Sequence, residues 1–183
     1  MSIIDTLRNE GTLQLYHDYR SGTLLDYSGK GNNGAFSANF NAQYVNNKGF
    51  QGKIDGANRP AINCGTLPLL DSAASISGIW FGLSACGPSS AGDNLISKRT
   101  GAANQWVFRK TAYNNLQFSS TSSSNITVPV ATRTSYAFSW VKGAAPIFYA
   151  DGNLVGTGSA TTTEAPTGIA LTTITDIGGP NFL

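Results

Sequence analysis

The side chains able to do chemistry are few in this sequence and poorly placed for catalysis. Its single histidine, His17, stands beside Asp18. On a strand such a histidine is far more often a hydrogen-bonded structural residue than a general base, and no Gly-x-Ser-x-Gly elbow accompanies it. There are two glutamates, Glu10 near the N-terminus and Glu164 in a Thr-rich stretch before Pro166, and no two aspartates stand at i, i+2. A retaining glycosidase needs two carboxyl groups about 5 to 5.5 Å apart, which one strand face delivers as Glu-x-Asp-x-Glu. That pattern is absent. Cys64 and Cys86 have no second histidine with which to build a zinc site and make no disulfide framework; one pairing is open to them, and buried free thiols are the favoured expectation. Gly29 to Gly34 lacks the Lys-Ser/Thr pair and following helix of a phosphate loop. No enzyme is expected.

The surrounding chain is suited to display rather than catalysis. Of 183 residues, 40% are hydrophobic, enough for one domain with a sizeable core, yet only 12% are charged. Polarity is carried instead by 37 Ser and Thr, 16 Asn and 21 Gly. A net charge of +2 from twelve basic and ten acidic residues provides no overall field for nucleic acid or an anionic membrane. No run approaches the roughly 18 apolar residues of a membrane span, so neither nucleic acid nor membrane insertion is expected. Asp5, Arg8 and Glu10 interrupt the place where a secretory signal would be apolar.

Two parts follow from the patterning. Residues 1–11 read as a short helix, with Ser2 as cap, Asp5 at the positive end and Gly11 as stop. Ile3, Ile4 and Leu7 fall on one side, with Asp5, Arg8 and Asn9 on the other. So short a helix is not stable alone. Its apolar side must lie against the domain's own sheet edge, a neighbouring subunit or a capsid surface, and the segment is a candidate anchor. Residues 12–183 read as an all-β sandwich of short antiparallel strands between turn clusters. Strands are expected at Leu13–Tyr19, Ile76–Ser84, Asn94–Lys98, Gln105–Lys110, Leu116–Ser119, Ser135–Val141, Ile147–Ala150 and Ile169–Ile177. Asp151-Gly152 should close a hairpin with Gly152 at positive φ. Tyr136, Phe138 and Trp140 share one strand face and are read as core rather than as a sugar platform. Leu13, Leu15, Trp80, Leu83, Phe138, Trp140 and Phe148 are the expected buried set.

Several of these segments carry a resemblance. Leu13-Gln14-Leu15-Tyr16 followed by Asp26-Tyr27-Ser28-Gly29-Lys30-Gly31-Asn32-Asn33-Gly34 resembles the opening strand and loop of laminin-G-like, concanavalin A-like domains. Gly49-Phe50 to Asp55-Gly56, Pro60 to Cys64, and Ser75-Ile76-Ser77-Gly78-Ile79-Trp80-Phe81 resemble later landmarks. Ser139-Trp140, Phe148 to Gly152 and Ile177-Gly178-Gly179 follow in the right order, so the likeness covers about residues 12 to 179. It implies a two-sheet antiparallel jelly roll. Such domains run on after the last turn into another strand, whereas this sequence ends at Leu183; either that strand is absent or another segment fills the edge.

The resemblance also implies sites. Relatives often hold Ca²⁺ at the loop matching Asp26, Asn32 and Asn33. Asp26 can equally cap its own turn there, and the Asn-Asn-Gly run suits positive φ without metal. Lectin-like jelly rolls bind sugars through loops bearing amides and an aromatic, which makes Asn104, Trp106, Tyr113, Asn114 and Asn115 glycan-binding candidates. The alternation of Trp106 and Phe108 favours the core instead for both rings. The preferred functional expectation is a non-enzymatic virion structural or adhesive protein, a capsid decoration or tail-associated domain of a phage. It would assemble in the host cytoplasm and be displayed on the virion surface, with capsid or tail proteins and its own copies as partners. The alternative is a secreted or surface lectin that binds cell-surface glycan.

Overall fold

The computed structural model describes residues 2–36, 42–46, 49–52, 61–65, 67, 70, 73–82, 93–100, 103–112, 115–120, 123–128, 134–161, 171–174 and 181–182. Of the expected sites, Tyr113 and Asn114 lie outside these, as do Leu83 and Cys86; Asn104 and Trp80 are described as strand backbone.

An α-helix, α1 (Ile3–Asn9), precedes a 3-10 turn at Tyr19–Ser21 and the strands. These are β1 (Ala35–Phe36), β2 (Ala42–Val45), β3 (Gly49–Gly52), β4 (Ile62–Asn63), β5 (Ser75–Gly82), β6 (Asp93–Thr100) and β7 (Ala103–Ala112). After them come β8 (Asn115–Ser119), β9 (Ser123–Thr127), β10 (Thr134–Val141), β11 (Ile147–Ala150), β12 (Asn153–Thr157), β13 (Leu171–Ile174) and β14 (Asn181–Phe182). They form a seven-stranded sheet ordered β1-β4-β13-β6-β7-β8-β9, a four-stranded sheet β12-β11-β10-β5 and a small ribbon β14-β3-β2. The described strand pairings are antiparallel. This is the expected jelly-roll sandwich.

Its core forms where aromatic rows of the two large sheets meet. Trp106, Phe108 and Phe118 come from β7 and β8; Phe138, Trp140 and Phe148 come from β10 and β11. Phe118 lies 4.7 Å from Trp140 and 5.1 Å from Phe138 between ring centroids, and Phe108 lies 5.0 Å from Phe138. All six are buried, each ring contributing both apolar area and ring-on-ring attraction. The stripe on β10 is therefore core. Leu13 and Leu15 are less deeply placed than expected, being half-buried.

The hairpin forms as expected. Asp151 (φ 49°) and Gly152 (φ 76°) both adopt left-handed backbone between paired Ala150 and Asn153. Positive φ at both central residues is the turn whose twist matches that of the flanking strands.

The largest correction concerns Leu13–Tyr19. It is not a strand: it makes one isolated bridge, His17 to Asp26, before the 3-10 turn. The cause is competition from a side chain. The backbone N–H of Tyr16 donates to Asp26 Oδ1 at 3.1 Å, so a carboxylate takes a donor that a ladder would have used. Edge strands also escaped the sequence reading, β9 and β14 among them, for a different reason. In β9, Ser-Ser-Asn-Ile-Thr has one apolar residue and borders the sheet. β14 is two residues long and pairs with β3. The capping box of α1 is present, with Asp5 N–H donating to Ser2 Oγ at 3.2 Å and Ser2 N–H returning to Asp5 Oδ2 at 3.2 Å.

Candidate functional site

The loop Asp26–Gly34 is organised by one carboxylate. Asp26 Oδ1 accepts from Tyr16 N–H (3.1 Å) and Ser28 N–H (2.9 Å), and Oδ2 accepts from Ser28 O–H (2.8 Å) and Asn32 N–H (2.8 Å). Its own N–H donates to Asn33 Oδ1 at 2.9 Å, and Asn32 Nδ2 donates to Gln14 C=O at 2.9 Å. Burial pushes the Asp26 carboxyl up, but the donors from Ser28, Tyr16 and Asn32 outweigh it and hold it below the ordinary value. Positive φ falls at Gly29 and Gly31, not at the expected Asn32, Asn33 and Gly34. Gly34 is required for space instead: a Cβ there would stand 2.7 Å from Ile62 Cγ2.

This arrangement does not fit a calcium ion. Both Asp26 oxygens and the Asn33 amide oxygen already face N–H and O–H donors, whose positive ends would point at the cation. Among the described residues no group of three His, Cys, Asp or Glu side chains converges on one point. The calcium ligands expected at Asp26, Asn32 and Asn33 are, as arranged, a hydrogen-bonded turn.

His17 belongs to the same network. Its Nε2 lies 3.0 Å from Asn32 C=O, which can only accept, so Nε2 carries the proton. Nδ1 then accepts from Tyr19 O–H at 2.9 Å, with buried Cys64 Sγ at 3.8 Å. Burial pushes the His17 pKa down, against smaller opposing effects of Asn32 and Asp26. His17 is structural, as expected, and Cys64 is a buried free thiol.

Above this loop lies an open cleft of about 220 Å³, lined by Arg8, Tyr16, Asp18 and Tyr27. Arg8 reaches it from α1, its Nη2 and Nε donating to Tyr27 C=O at 2.7 and 3.2 Å while Nη1 donates to Asp5 at 3.0 Å. Helix α1 is thus tied to the loop, not to a sheet edge, and Ile3 remains 69% exposed. The rings of Tyr16 and Tyr27 stand 6.1 Å apart at 57°. Asp18 accepts from Arg20, whose Nη2 is 2.6 Å from Oδ2; that pairing holds the Asp18 carboxyl below its ordinary value. Two tyrosine faces with one carboxylate and one guanidinium suit a polyhydroxylated ligand, since C–H faces pack on rings and hydroxyls meet charged donors and acceptors. Sequence reading missed this cleft because Arg8 and Tyr27 are 19 positions apart and meet through α1.

A second polar region covers the outer face of β7, β8 and β9. Arg109 Nε donates to Gln117 Oε1 at 2.5 Å, and Gln117 Nε2 donates to Asn125 Oδ1 at 2.6 Å. Thr127 O–H donates to Asn115 Oδ1 at 3.2 Å in the row on one side, and Ser119 and Ser123 pair at 3.1 Å in the row on the other. Of the expected glycan residues, Asn115 lies on this face. Trp106 does not: it is 2% exposed and stacks on Phe118 at 5.9 Å. Its alternation with Phe108 turns it into the core, which removes it as a sugar contact.

No protein-family model matches the sequence, and no curated protein matches it. Among solved structures, the fold is similar to the binding domain of botulinum neurotoxin DC in complex with rat synaptotagmin II, at 17% identity and a TM-score of 0.63, over 92% of this chain and 45% of that one. It is also similar to domain 4 of AbnA, a GH43 extracellular arabinanase from Geobacillus stearothermophilus, in complex with arabinotriose. There the identity is 14% and the TM-score 0.60, over 93% of this chain and 86% of that one. A third similar structure concerns cell entry of botulinum neurotoxin type C and its dependence upon two ganglioside molecules, with 16% identity, a TM-score of 0.59 and coverage of 92% and 46%. The chain spans less than half the length of these toxin chains. At such identities the likeness establishes the β-sandwich fold alone.

Proposed function

We propose that this protein is a non-enzymatic glycan-binding module whose ligand enters the cleft of Arg8, Tyr16, Asp18 and Tyr27. The observation that carries the reading is the pair of tyrosine rings set beside a carboxylate and a guanidinium in one cleft. The fold supports it, since one similar domain was solved with arabinotriose and one similar toxin structure concerns gangliosides. Each group has a role: Tyr27 and Tyr16 take the apolar face of a sugar, and Asp18 and Arg8 take its hydroxyls. In this reading the segment 1–11 is a wall of the site, placed there by Arg8.

The finer setting of this module is display on a virus particle, where few charges and many Ser, Thr and Asn residues give a solvated surface. Co-sedimentation with particles tests that setting. Glycan binding itself is tested by a glycan array followed by calorimetry, with arabinotriose among the first probes. Tyr27→Ala is expected to weaken binding by about tenfold or more, on the scale of one lost ring contact and its polar neighbours. An array without hits, or undiminished binding by Tyr27→Ala, overturns the proposal.

A further inference from the structure

Between Asp93 and Asp151 the sequence runs 57 residues without one acidic side chain, yet it holds Lys98, Arg99, Arg109, Lys110, Arg133 and Lys142. The whole-chain charge of +2 hides this asymmetry. Strands β7 to β11 are built entirely from the stretch, and β6 nearly so. Most of its described cations are spoken for: Lys98 and Lys110 are buried, with Lys110 Nζ 5.3 Å from the Tyr136 ring centroid, and Lys142 donates to Leu70 C=O.

Arg109 differs. It faces outward from β7, half-buried, and among the described residues no carboxylate pairs with it; the ion pairs there are Arg8–Asp5 and Arg20–Asp18. Burial lowers its pKa with no counter-charge to oppose the effect. Its Nε is held by Gln117, and Gln117 by Asn125, so the guanidinium is fixed in orientation while its two Nη groups have no partner among the described residues. A cation partly withdrawn from water without a counter-ion is a costly arrangement. A carboxylate received by the two Nη groups would relieve it, because guanidinium and carboxylate match as parallel donor–acceptor pairs.

The surroundings specify the rest of the ligand. Residues 115–127 contain no charge of either sign. Asn115 and Asn125 each use the amide oxygen within the lattice and keep the NH₂ donors without a partner among the described residues. Ser119, Ser123 and Thr127 add hydroxyls. Rows repeat about every 6.8 Å along the strands and about 4.8 Å across them, a grid of donors and acceptors on the scale of one or two sugar rings. We infer that the outer face of β7–β9 is a second glycan subsite, selective for a carboxylated sugar, with Arg109 receiving the carboxylate and Asn115 and Asn125 the hydroxyls. The inference rests on the glycan-binding reading for the kind of ligand, but on a different face from the tyrosine cleft. Nucleic acid suits this face poorly, because Arg109 is the one outward cation described on these strands and the lattice residues include no aromatic for base stacking.

Calorimetry on the full chain separates the outcomes, using oligogalacturonate and a neutral galactose oligosaccharide of equal length. Oligogalacturonate is expected to bind about tenfold or more tightly than the neutral sugar, the scale of hydrogen bonds to a charged group. Arg109→Gln should erase that difference, and Arg109→Lys should retain part of it, since an ammonium keeps the charge but not the fork. Tyr27→Ala should leave the preference for the acid intact. Equal affinity for both sugars overturns this inference and leaves the cleft reading standing; a preference undiminished in Arg109→Gln does the same. Displacement of oligogalacturonate by a short oligonucleotide at equal concentration identifies a general polyanion surface and also overturns it. If no sugar binds, both readings fall. Should Arg109→Gln melt abnormally, Arg109→Lys and Asn125→Ala decide, each expected to reduce the preference in a folded protein.

Discussion

The Asp26 loop and the outer face of β7–β9 both carry Asn and Ser, yet their hydrogen bonding differs in kind. At Asp26 both carboxylate oxygens have two donors each, and His17, Asn32 and Asn33 turn their polar atoms inward to the same loop. On β7–β9 the chain Arg109–Gln117–Asn125 satisfies its internal members and leaves donors at both ends. Polar residues whose capacity is spent within the chain hold shape; those with capacity left over can recognise something else. The difference separates a loop that looks like a ligand site in sequence from a strand face that does not.

The comparison breaks first at Asp26. If the carboxylate is structural, Asp26→Ala should cost about 2 to 4 kcal/mol in denaturant unfolding, because several donors lose their acceptor together. A change below about 0.5 kcal/mol would place Asp26 among the residues free to bind. Acid should reproduce part of this loss. The folded-state pKa of Asp26 is depressed, so its contribution is fully present above the unfolded carboxylate value near 3.9 and is lost as pH falls through the lower folded value. Melting curves from pH 5 downward should therefore fall less steeply for Asp26→Asn than for the wild type.

His17 tests the same loop at milder pH. Its folded pKa is depressed, so the unfolded chain takes up the proton first. Stability is full above the unfolded value near 6.5 and declines as pH drops through the window beneath it. His17→Gln should lack that decline; an unchanged profile would mean that the imidazole is not held neutral. On the open face the effect on folding is smaller. Gln117→Ala should cost about 1 kcal/mol, since its partners Arg109 and Asn125 regain water, while the affinity for oligogalacturonate falls severalfold. A larger loss of stability without any loss of affinity would make the lattice structural. The smallest expected effect is that of a chelator: with Asp26 saturated by the protein's own donors, EDTA should leave the melting temperature unchanged, and a fall would restore a bound cation.

Strands were legible where side chains alternate and turns need left-handed backbone, as in Tyr136-Phe138-Trp140 and Asp151-Gly152. They were illegible where hydrogen bonding, not hydrophobicity, decides. Leu13–Tyr19 reads as a strand until Asp26 takes the Tyr16 donor, and β9 is too polar to stand out. The cleft was hidden because it depends on Arg8 crossing from α1 to Tyr27. Asn115, chosen from its residue type, lies on the face proposed here as a subsite, and Arg109 was passed over because charge was summed over the whole chain rather than along it.

The central claim is that glycan contacts fall at the open ring faces of the cleft and, on β7–β9, where hydrogen-bonding capacity is left over. Amide chemical-shift mapping by NMR, during titration with arabinotriose and then oligogalacturonate, tests it most directly. The account predicts shifts at Arg8, Tyr16, Asp18 and Tyr27 with the neutral sugar, further shifts at Arg109, Asn115 and Asn125 with the acidic one, and a quiet stretch from Gly29 to Gly34. Shifts confined to the outer face of the four-stranded sheet, where Ile79, Val141 and Leu154 are exposed, or no shifts with either sugar, would contradict it.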